Sequence, residues 1–351
     1  MRWHQISIAV EAVFFAIIII FYSVPLLSTN IGQLWVASRL AENKGELRNA
    51  RTLFEYAARW HKTEEIYIGL CRIDLIEEDI TSASKTCLLS NDVGLRTMIH
   101  VGDVYAHKQA SQRALAIYDL ARQLYPASAL VYYRLGKNYP PGLLSTVEAY
   151  QQAIYLTNQG DKTLNPGDVA DIHIQLAQNY FWWGAYKEVI TQTNLALALG
   201  QFSRAYRLQA IAYAHLGQFE QAESKIKEAI QIDSSFWPYL DWGDIYRVKG
   251  QIKLAAEKYE QSIQLAADPV AQVWGYTNLC QLYLDSKNAL LAVQSCRNLV
   301  NKYANQVDFL LMLGNAYQLA GDRFSAEMQY RQVLKIDPTN QPALQKLLKR
   351  N

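Results

Sequence analysis

The sequence predicts an all-α protein, a solenoid of about nine helical hairpins preceded by one transmembrane helix. Three observations lead to this prediction: tyrosine and small residues recur with a period near 34, one long apolar run lies near the amino terminus, and helix-breaking residues are few. The 351 residues contain 9 Pro and 17 Gly, which favours long helices with short turns. Half of the residues are hydrophobic and the formal net charge is +2. A folded chain is therefore expected, and nucleic acid is not expected as a partner.

The apolar run covers residues 6–27, and Glu11 is its one charged residue. As a helix it would be about 33 Å long, enough to cross a hydrocarbon core of about 30 Å. Residues 1–30 are therefore predicted to form a short cytoplasmic stub and a signal-anchor helix, with the lipid bilayer as a partner. A cleaved signal peptide is the alternative, but no A-x-A-like cleavage site follows the run.

The rest of the chain is periodic. Two markers about nine residues apart, inside a period near 34, describe two short helices and a turn in each unit. Such hairpins bury their apolar faces only against their neighbours. The tyrosine marker occurs at Tyr105, Tyr139, Tyr180, Tyr213, Tyr246, Tyr283 and Tyr317, and the mostly small marker at Ala50, Ala83, Ala114, Thr146, Val189, Ala222, Ala255, Ala292 and Ala326.

Residues 307–340 show the chemistry of one unit most clearly. Gly314 permits close approach of two helices, and Gly321 suits a left-handed exit from the first helix. Pro338 stops the second helix. Together with the tyrosine and alanine markers, this unit resembles the tetratricopeptide repeat family position by position.

The resemblance implies a right-handed superhelical solenoid of about nine such repeats over residues 31–340. Residues 341–351 are expected to form a polar capping helix, which is a common way to close a repeat stack. The largest departure is a loop at residues 158–168, which either bends the superhelix, reaches a partner, or is a tolerated surface insertion. The predicted units start near residues 31, 64, 95, 129, 170, 203, 236, 273 and 307.

In this family the first helices line a concave groove, which implies a protein or peptide ligand. Aromatic and arginine side chains beside amides would suit such a ligand, although Trp and Tyr in helical repeats are mostly core residues. The Lys and Asn pattern that binds chaperone tails in some relatives is not reproduced, so a chaperone-tail adaptor is disfavoured. Carried over residue by residue, the groove positions are Tyr133, Lys137, Gln178, Phe181, Trp182, Arg204, Arg207, Trp237, Asp241, Asp244, Arg247, Trp274, Asn278 and Gln281.

Enzymatic function is not predicted. The sequence has no phosphate-binding glycine-rich loop, no H-E-x-x-H, no G-x-S-x-G and no C-x-x-C, and no cofactor is expected. His100, Asp103 and His107 would share one helix face, but the outer histidines would lie about 10 Å apart along the axis, so no metal site is predicted. His173 occupies a core-type position.

A membrane-anchored interaction scaffold is therefore the predicted function. One alternative is a carbohydrate-binding or assembly accessory of envelope polysaccharide machinery, since groove amides and tryptophans also suit sugars. Another is a non-catalytic subunit of a membrane enzyme complex.

The four cysteines form two pairs with the same separation of 16 residues, Cys71 with Cys87 and Cys280 with Cys296. In the repeat register each pair occupies the eighth and twenty-fourth positions of one unit, level with each other across the hairpin. The twenty-fourth position is usually aromatic in the family, so its replacement suggests disulfides; two buried thiols are the alternative. Since disulfides persist outside the reducing cytosol, the repeats are predicted to be extracytoplasmic.

Overall fold

The computed structural model describes residues 44–60 and 62–348, and the regular secondary structure of these residues is α-helical. The helices divide into two compact units, with the boundary between Asn165 and Pro166. The first unit contains α1 (Lys44–Trp60), α2 (Glu64–Ile76), α3 (Ile80–Leu88), α4 (Asn91–His107), α5 (Ser111–Leu124), α6 (Ala129–Asn138) and α7 (Leu144–Asn158).

The second unit begins at Pro166 and has eleven described helices. They are α8 (Pro166–Trp182), α9 (Tyr186–Leu199), α10 (Ser203–His215), α11 (Phe219–Ile232), α12 (Phe236–Val248), α13 (Ile252–Leu265), α14 (Pro269–Asp285), α15 (Ala289–Lys302), α16 (Val307–Leu319), α17 (Arg323–Ile336) and α18 (Gln341–Leu348).

The predicted repeats correspond to consecutive helix pairs. From α2/α3 to α16/α17, eight complete hairpins lie within the described residues, and α18 packs on α17 at the end. Helix α1 is the second helix of the first predicted repeat, whose first helix would lie outside the described residues. Gly321, between α16 and α17, has φ 78°, the left-handed conformation predicted for the helix exit.

One contact recurs inside the hairpins, between the eighth and twenty-fourth repeat positions. In four hairpins a glycine of the first helix faces a buried tyrosine ring of the second. A Cβ atom added to any of these glycines would lie within 3.0 Å of the ring, so a larger residue would force the two helices apart. The pairs are Gly102 with Tyr118, Gly136 with Tyr150, Gly243 with Tyr259, and Gly314 with Tyr330.

Where the first helix carries a larger residue, the second carries a smaller one. Ala210 of α10 and Ile226 of α11 belong to the same core cluster. Both cysteine pairs occupy this contact at disulfide distance, with Cα–Cα separations of 4.8 Å, and all four cysteines are buried. A tyrosine on the second helix thus occurs with a glycine on the first, and a larger residue on the first helix occurs with a smaller partner on the second.

Of the loop predicted at residues 158–168, residues 159–165 lie outside the helices, and they fold back within the first unit. Asp161 accepts a hydrogen bond from the backbone N–H of Ala129 at 2.6 Å, and the hydroxyl of Thr163 accepts one from the N–H of Leu130 at 3.1 Å. Both N–H groups belong to the first turn of α6, where helices leave donors unpaired. Leu164 is buried beside them. The loop therefore supplies the amino-terminal cap of α6.

The prediction of a single-pass membrane protein with extracytoplasmic repeats is wrong for the part of the chain that the structure describes. The described helices have 8 to 17 residues, whereas a span needs about 20 apolar residues, and none of them could cross a bilayer. Residues 6–27, on which the prediction was based, lie outside the described residues.

We expect Asp161→Ala to lower the free energy of unfolding by about 1 kcal/mol, because the N–H of Ala129 at the start of α6 loses its anionic cap. Chemical denaturation followed by circular dichroism at 222 nm measures this change. Lys162→Ala, an exposed neighbour in the same loop, is the matched control and should stay within about 0.5 kcal/mol of the wild type. Equal stability of the two variants would show that the cap contributes nothing.

Candidate functional site

Three first helices of the second unit, α8, α10 and α12, line one cavity of about 340 Å³. We call it the three-helix cavity. Its size is at the lower end of the range for ligand sites, about 300–1,000 Å³. Eight of the predicted groove residues line it: Gln178, Phe181, Trp182, Arg204, Arg207, Asp241, Asp244 and Arg247. The remaining lining residues are Leu208, Ile211, His215 and Val248.

Helical spacing explains why these side chains converge. Arg204, Arg207 and Ile211 lie at i, i+3 and i+7 on α10, so they share one face of that helix. Phe181 and Val248 approach the same space from α8 and α12. The lining thus combines apolar side chains with two polar groups, one around Arg207 and the other around Arg247.

The first polar group is an ion pair between successive hairpins. Nε of Arg207, on α10, donates to the carboxylate of Asp241, on α12. The guanidinium of Arg207 also lies 5.1 Å from the ring centroid of Trp237, a cation–π distance. Asp241 is only 8% exposed, and this burial raises its pKa to about 6 although Arg207 opposes the shift.

The second polar group joins the cavity to the hairpin core. The hydroxyl of Tyr259 donates to Asp244 at 2.7 Å, and Arg247 pairs with the same carboxylate at 3.2 Å. Arg247 also approaches Asp285 of α14 at 3.7 Å. Burial raises the pKa of Asp244. Because Tyr259 is the ring that packs on Gly243, the core contact of this hairpin fixes one wall of the cavity.

His215 contributes an aromatic surface to the lining. Its ring stacks on Tyr186 with centroids 4.5 Å apart and meets the edge of Phe181 at 5.9 Å. Burial lowers the pKa of His215, so the ring is neutral at pH 7. The lining therefore contains three arginines and two aspartates, and its one histidine is neutral at that pH.

Four predicted groove residues lie on α12 and α14 but are not part of the cavity lining. Trp237 packs on Trp274 with centroids 6.1 Å apart, and Trp274 is 52% exposed. Gln281 donates to Asp285 at 2.6 Å, and Asn278 is half-buried on the same helix.

The last two predicted groove residues lie on α6, in the first unit. Tyr133 is only 3% exposed, so its ring is mainly a packing element. Lys137 lies 5.1 Å from the centroid of that ring. Sequence reasoning placed both in one groove with residues that the structure assigns to the second unit.

Four lining residues were missed by the sequence prediction. Three of them, Ile211, His215 and Val248, occupy the ninth and thirteenth repeat positions, the same positions that selected Gln178 and Trp182. The repeat register therefore contained the signal. Leu208 occupies the sixth position, as the predicted groove residues Asp241 and Asn278 do in their own repeats.

Asp103 and His173 lie outside the cavity, and both make hydrogen bonds within the fold. Asp103 accepts hydrogen bonds from the hydroxyl of Tyr118 at 2.6 Å and from Arg134 at 2.9 Å, which link α4 to α5 and α6. His173 is 8% exposed and hydrogen-bonds Gln192 at 2.7 Å. Within the described residues, no three His, Cys, Asp or Glu side chains are grouped as metal ligands would be.

The raised pKa of Asp241 predicts a pH dependence of stability. Its ordinary value is 3.8 and its folded value about 6, so the folded state binds this proton more tightly. The resulting stabilisation is complete below about pH 3.8 and is lost as the pH rises through 6, by at most about 3 kcal/mol. The difference in unfolding free energy between the wild type and Asp241→Asn should therefore decrease as the pH rises from 4 to 7.

Denaturant titrations at half-unit pH steps measure this difference. Asp308→Asn, an exposed residue of α16 outside the cavity, is the control for removal of a carboxylate. A difference between wild type and Asp241→Asn that stays constant over this range would contradict the raised pKa.

Known proteins resemble parts of this chain. A family model for the tetratricopeptide repeat matches residues 307–340. The "BBSome complex member BBS4" of Bos taurus is 25% identical over 166 residues, and that of Mus musculus 24% over 175 residues. These matches cover 47% and 49% of this chain, but only 31% and 33% of the relatives. The chain thus spans about a third of the length of these curated relatives.

Solved structures show a loose likeness of fold. The crystal structure of the APC/C hetero-tetramer Cut9-Hcn1 matches with a TM-score of 0.49 and 13% identity, covering 93% of this chain and 62% of that one. A tetratricopeptide repeat protein from Parabacteroides merdae matches with a TM-score of 0.45 and 11% identity, covering 82% and 98%. Residues 307–340 thus match the tetratricopeptide repeat, and the described residues contain eight consecutive helix pairs.

Proposed function

We propose that this protein is a non-catalytic interaction scaffold that holds a peptide segment of a partner protein in the three-helix cavity. The observation that carries the proposal is the lining of that cavity, which combines an apolar surface with two polar groups. Phe181, Leu208 and Ile211 offer an apolar side chain a surface that excludes water. The arginines and aspartates of the same lining offer donors and acceptors to the peptide backbone.

Trp182 is the strongest candidate for a binding hot spot. It lines the cavity yet is 65% exposed, so a ligand would remove much of its apolar surface from water. Tryptophan and arginine are enriched among residues that dominate binding energy. Burial of about 100 Å² of apolar surface would contribute about 2.5 kcal/mol before ordering costs.

The relatives agree with a scaffold role in a general way. BBS4 is named as a member of a complex, and this chain matches it over about half of its own length. That agreement supports binding to other proteins and does not select a partner. Neither a bilayer nor a glycan gains support as a partner from the matched proteins.

Trp182→Ala should weaken peptide binding about tenfold, because the exposed face of the cavity loses its largest apolar side chain. Peptides selected from a random linear display library on the purified full-length protein provide the ligands, and fluorescence anisotropy gives the dissociation constants. The unfolding free energy should change by less than about 1 kcal/mol, since the ring is mostly exposed.

Trp183→Ala is the matched control. Trp183 is the residue directly after the end of α8, is also exposed and does not line the cavity. Arg207→Ala is a poorer probe, since it would leave the buried Asp241 without its counterion. If Trp182→Ala and Trp183→Ala bind the selected peptides equally well, the partner does not bind in this cavity.

A further inference from the structure

We propose that the three-helix cavity binds a segment that carries a carboxylate and takes up a proton as it does so, because the ligand and Asp241 compete for Arg207. This inference rests on the proposed function, since it concerns the same cavity. It assigns Asp241 a regulatory role: its carboxylate occupies Arg207 at higher pH, and its protonation releases Arg207 at lower pH.

The geometry makes this competition direct. Arg207 and Asp241 both line the cavity, and they pair through Nε across two first helices. A ligand carboxylate that reached the guanidinium would lie close to the carboxylate of Asp241. Two carboxylates about 4 Å apart at an effective dielectric constant of about 20 would weaken binding on the order of a thousandfold. The repulsion between them therefore favours a complex in which one of the two carboxylates is neutral.

Asp241 is the group that neutralises most readily. Burial raises its pKa to about 6, so its protonation at pH 7 reduces the apparent affinity only about tenfold. This tenfold loss of affinity is much smaller than the loss, on the order of a thousandfold, that repulsion between two charged carboxylates would cause. Proton uptake by Asp241 is therefore the favoured route when an acidic segment binds.

The other charged and titratable groups of the site leave this role to Asp241. From α10, Arg204 adds a positive charge and His215 stays neutral, because burial lowers its pKa. On α12, Asp244 is held by Arg247 and by the hydroxyl of Tyr259 from α13. Asp285 of α14 lies beside Arg247, and α8 contributes the uncharged residues Gln178, Phe181 and Trp182.

Protonation of Asp241 removes one negative charge from a lining that contains three arginines. The cavity then attracts an anionic segment more strongly than it does with Asp241 ionised. Arg207 remains oriented by its contact with Trp237, 5.1 Å from the ring centroid, so its position does not depend on Asp241 alone. The released guanidinium is thus already in place for a carboxylate.

The test uses the full-length protein and a random linear peptide library selected at pH 5.5. The selected peptides are measured from pH 5 to 8 by anisotropy, with free and with amidated carboxyl termini and with each Asp or Glu replaced by its amide. These arms distinguish a terminal carboxylate from a side-chain carboxylate. Calorimetry at pH 7 in two buffers of different ionisation enthalpy counts the protons taken up.

For the wild type, the affinity should fall up to tenfold for each pH unit above 6, with up to one proton bound per complex. Asp241→Asn, a nearly isosteric change, should bind at pH 8 about as tightly as the wild type binds at pH 5.5. Asp308→Asn, outside the cavity, should keep the wild-type pH dependence. Removal of the ligand's carboxylate should abolish the pH dependence in the wild type.

Two outcomes would overturn the proton linkage while the proposed function stands. The first is that peptide binding depends on Trp182 but not on pH. The second is that the Asp241→Asn variant keeps the wild-type pH dependence. Peptides that bind independently of Trp182 would overturn both. Failure to select any binding peptide at pH 5.5 would also overturn both.

Discussion

The contact between the eighth and twenty-fourth repeat positions sets how closely the two helices of a hairpin can approach. In four hairpins a glycine admits a tyrosine ring, in α10/α11 an alanine meets an isoleucine, and in two hairpins a pair of cysteines fills the same space. Interiors packed at the density of organic crystals tolerate little change in volume. A tyrosine ring on the second helix therefore needs a glycine opposite it on the first.

This contact also determines where polar groups lie on the first helices. Tyr118 and Tyr259 pack on glycines, and their hydroxyls donate to the next residue along the first helix, Asp103 and Asp244. Each aspartate is then paired with an arginine, Arg134 or Arg247. A core side chain thus holds a carboxylate, and the carboxylate orients an arginine. In the second unit, this chain of contacts ends at the wall of the three-helix cavity.

Much of the fold was predictable from the sequence because the repeat makes each unit a copy of its neighbours. The helix exit at Gly321 and the pairing of the cysteines follow from the register alone. Eight cavity residues followed from it too, since equivalent positions on successive first helices face the same way. The cap that Asp161 provides for α6 could not be predicted, because the loop has no counterpart in other units.

The electrostatics of the cavity were also beyond sequence reasoning. Arg207 and Asp241 are 34 residues apart, and their pairing depends on how far α10 and α12 are separated and on which rotamers the core allows. The low exposure of Asp241 depends on side chains from several helices. Tyr133 belongs to the first compact unit, whereas the residues that line the cavity belong to the second.

The eighth and twenty-fourth repeat positions act as one interchangeable pair. A double-mutant cycle on Cys280→Gly and Cys296→Tyr tests this most directly. Cys296→Tyr alone should be strongly destabilising, because the ring meets a side chain where other hairpins have glycine and the disulfide is lost. Adding Cys280→Gly should restore at least about 1 kcal/mol of unfolding free energy, although Gly within a helix ordinarily costs about that much. A double variant no more stable than Cys296→Tyr alone would contradict the claim.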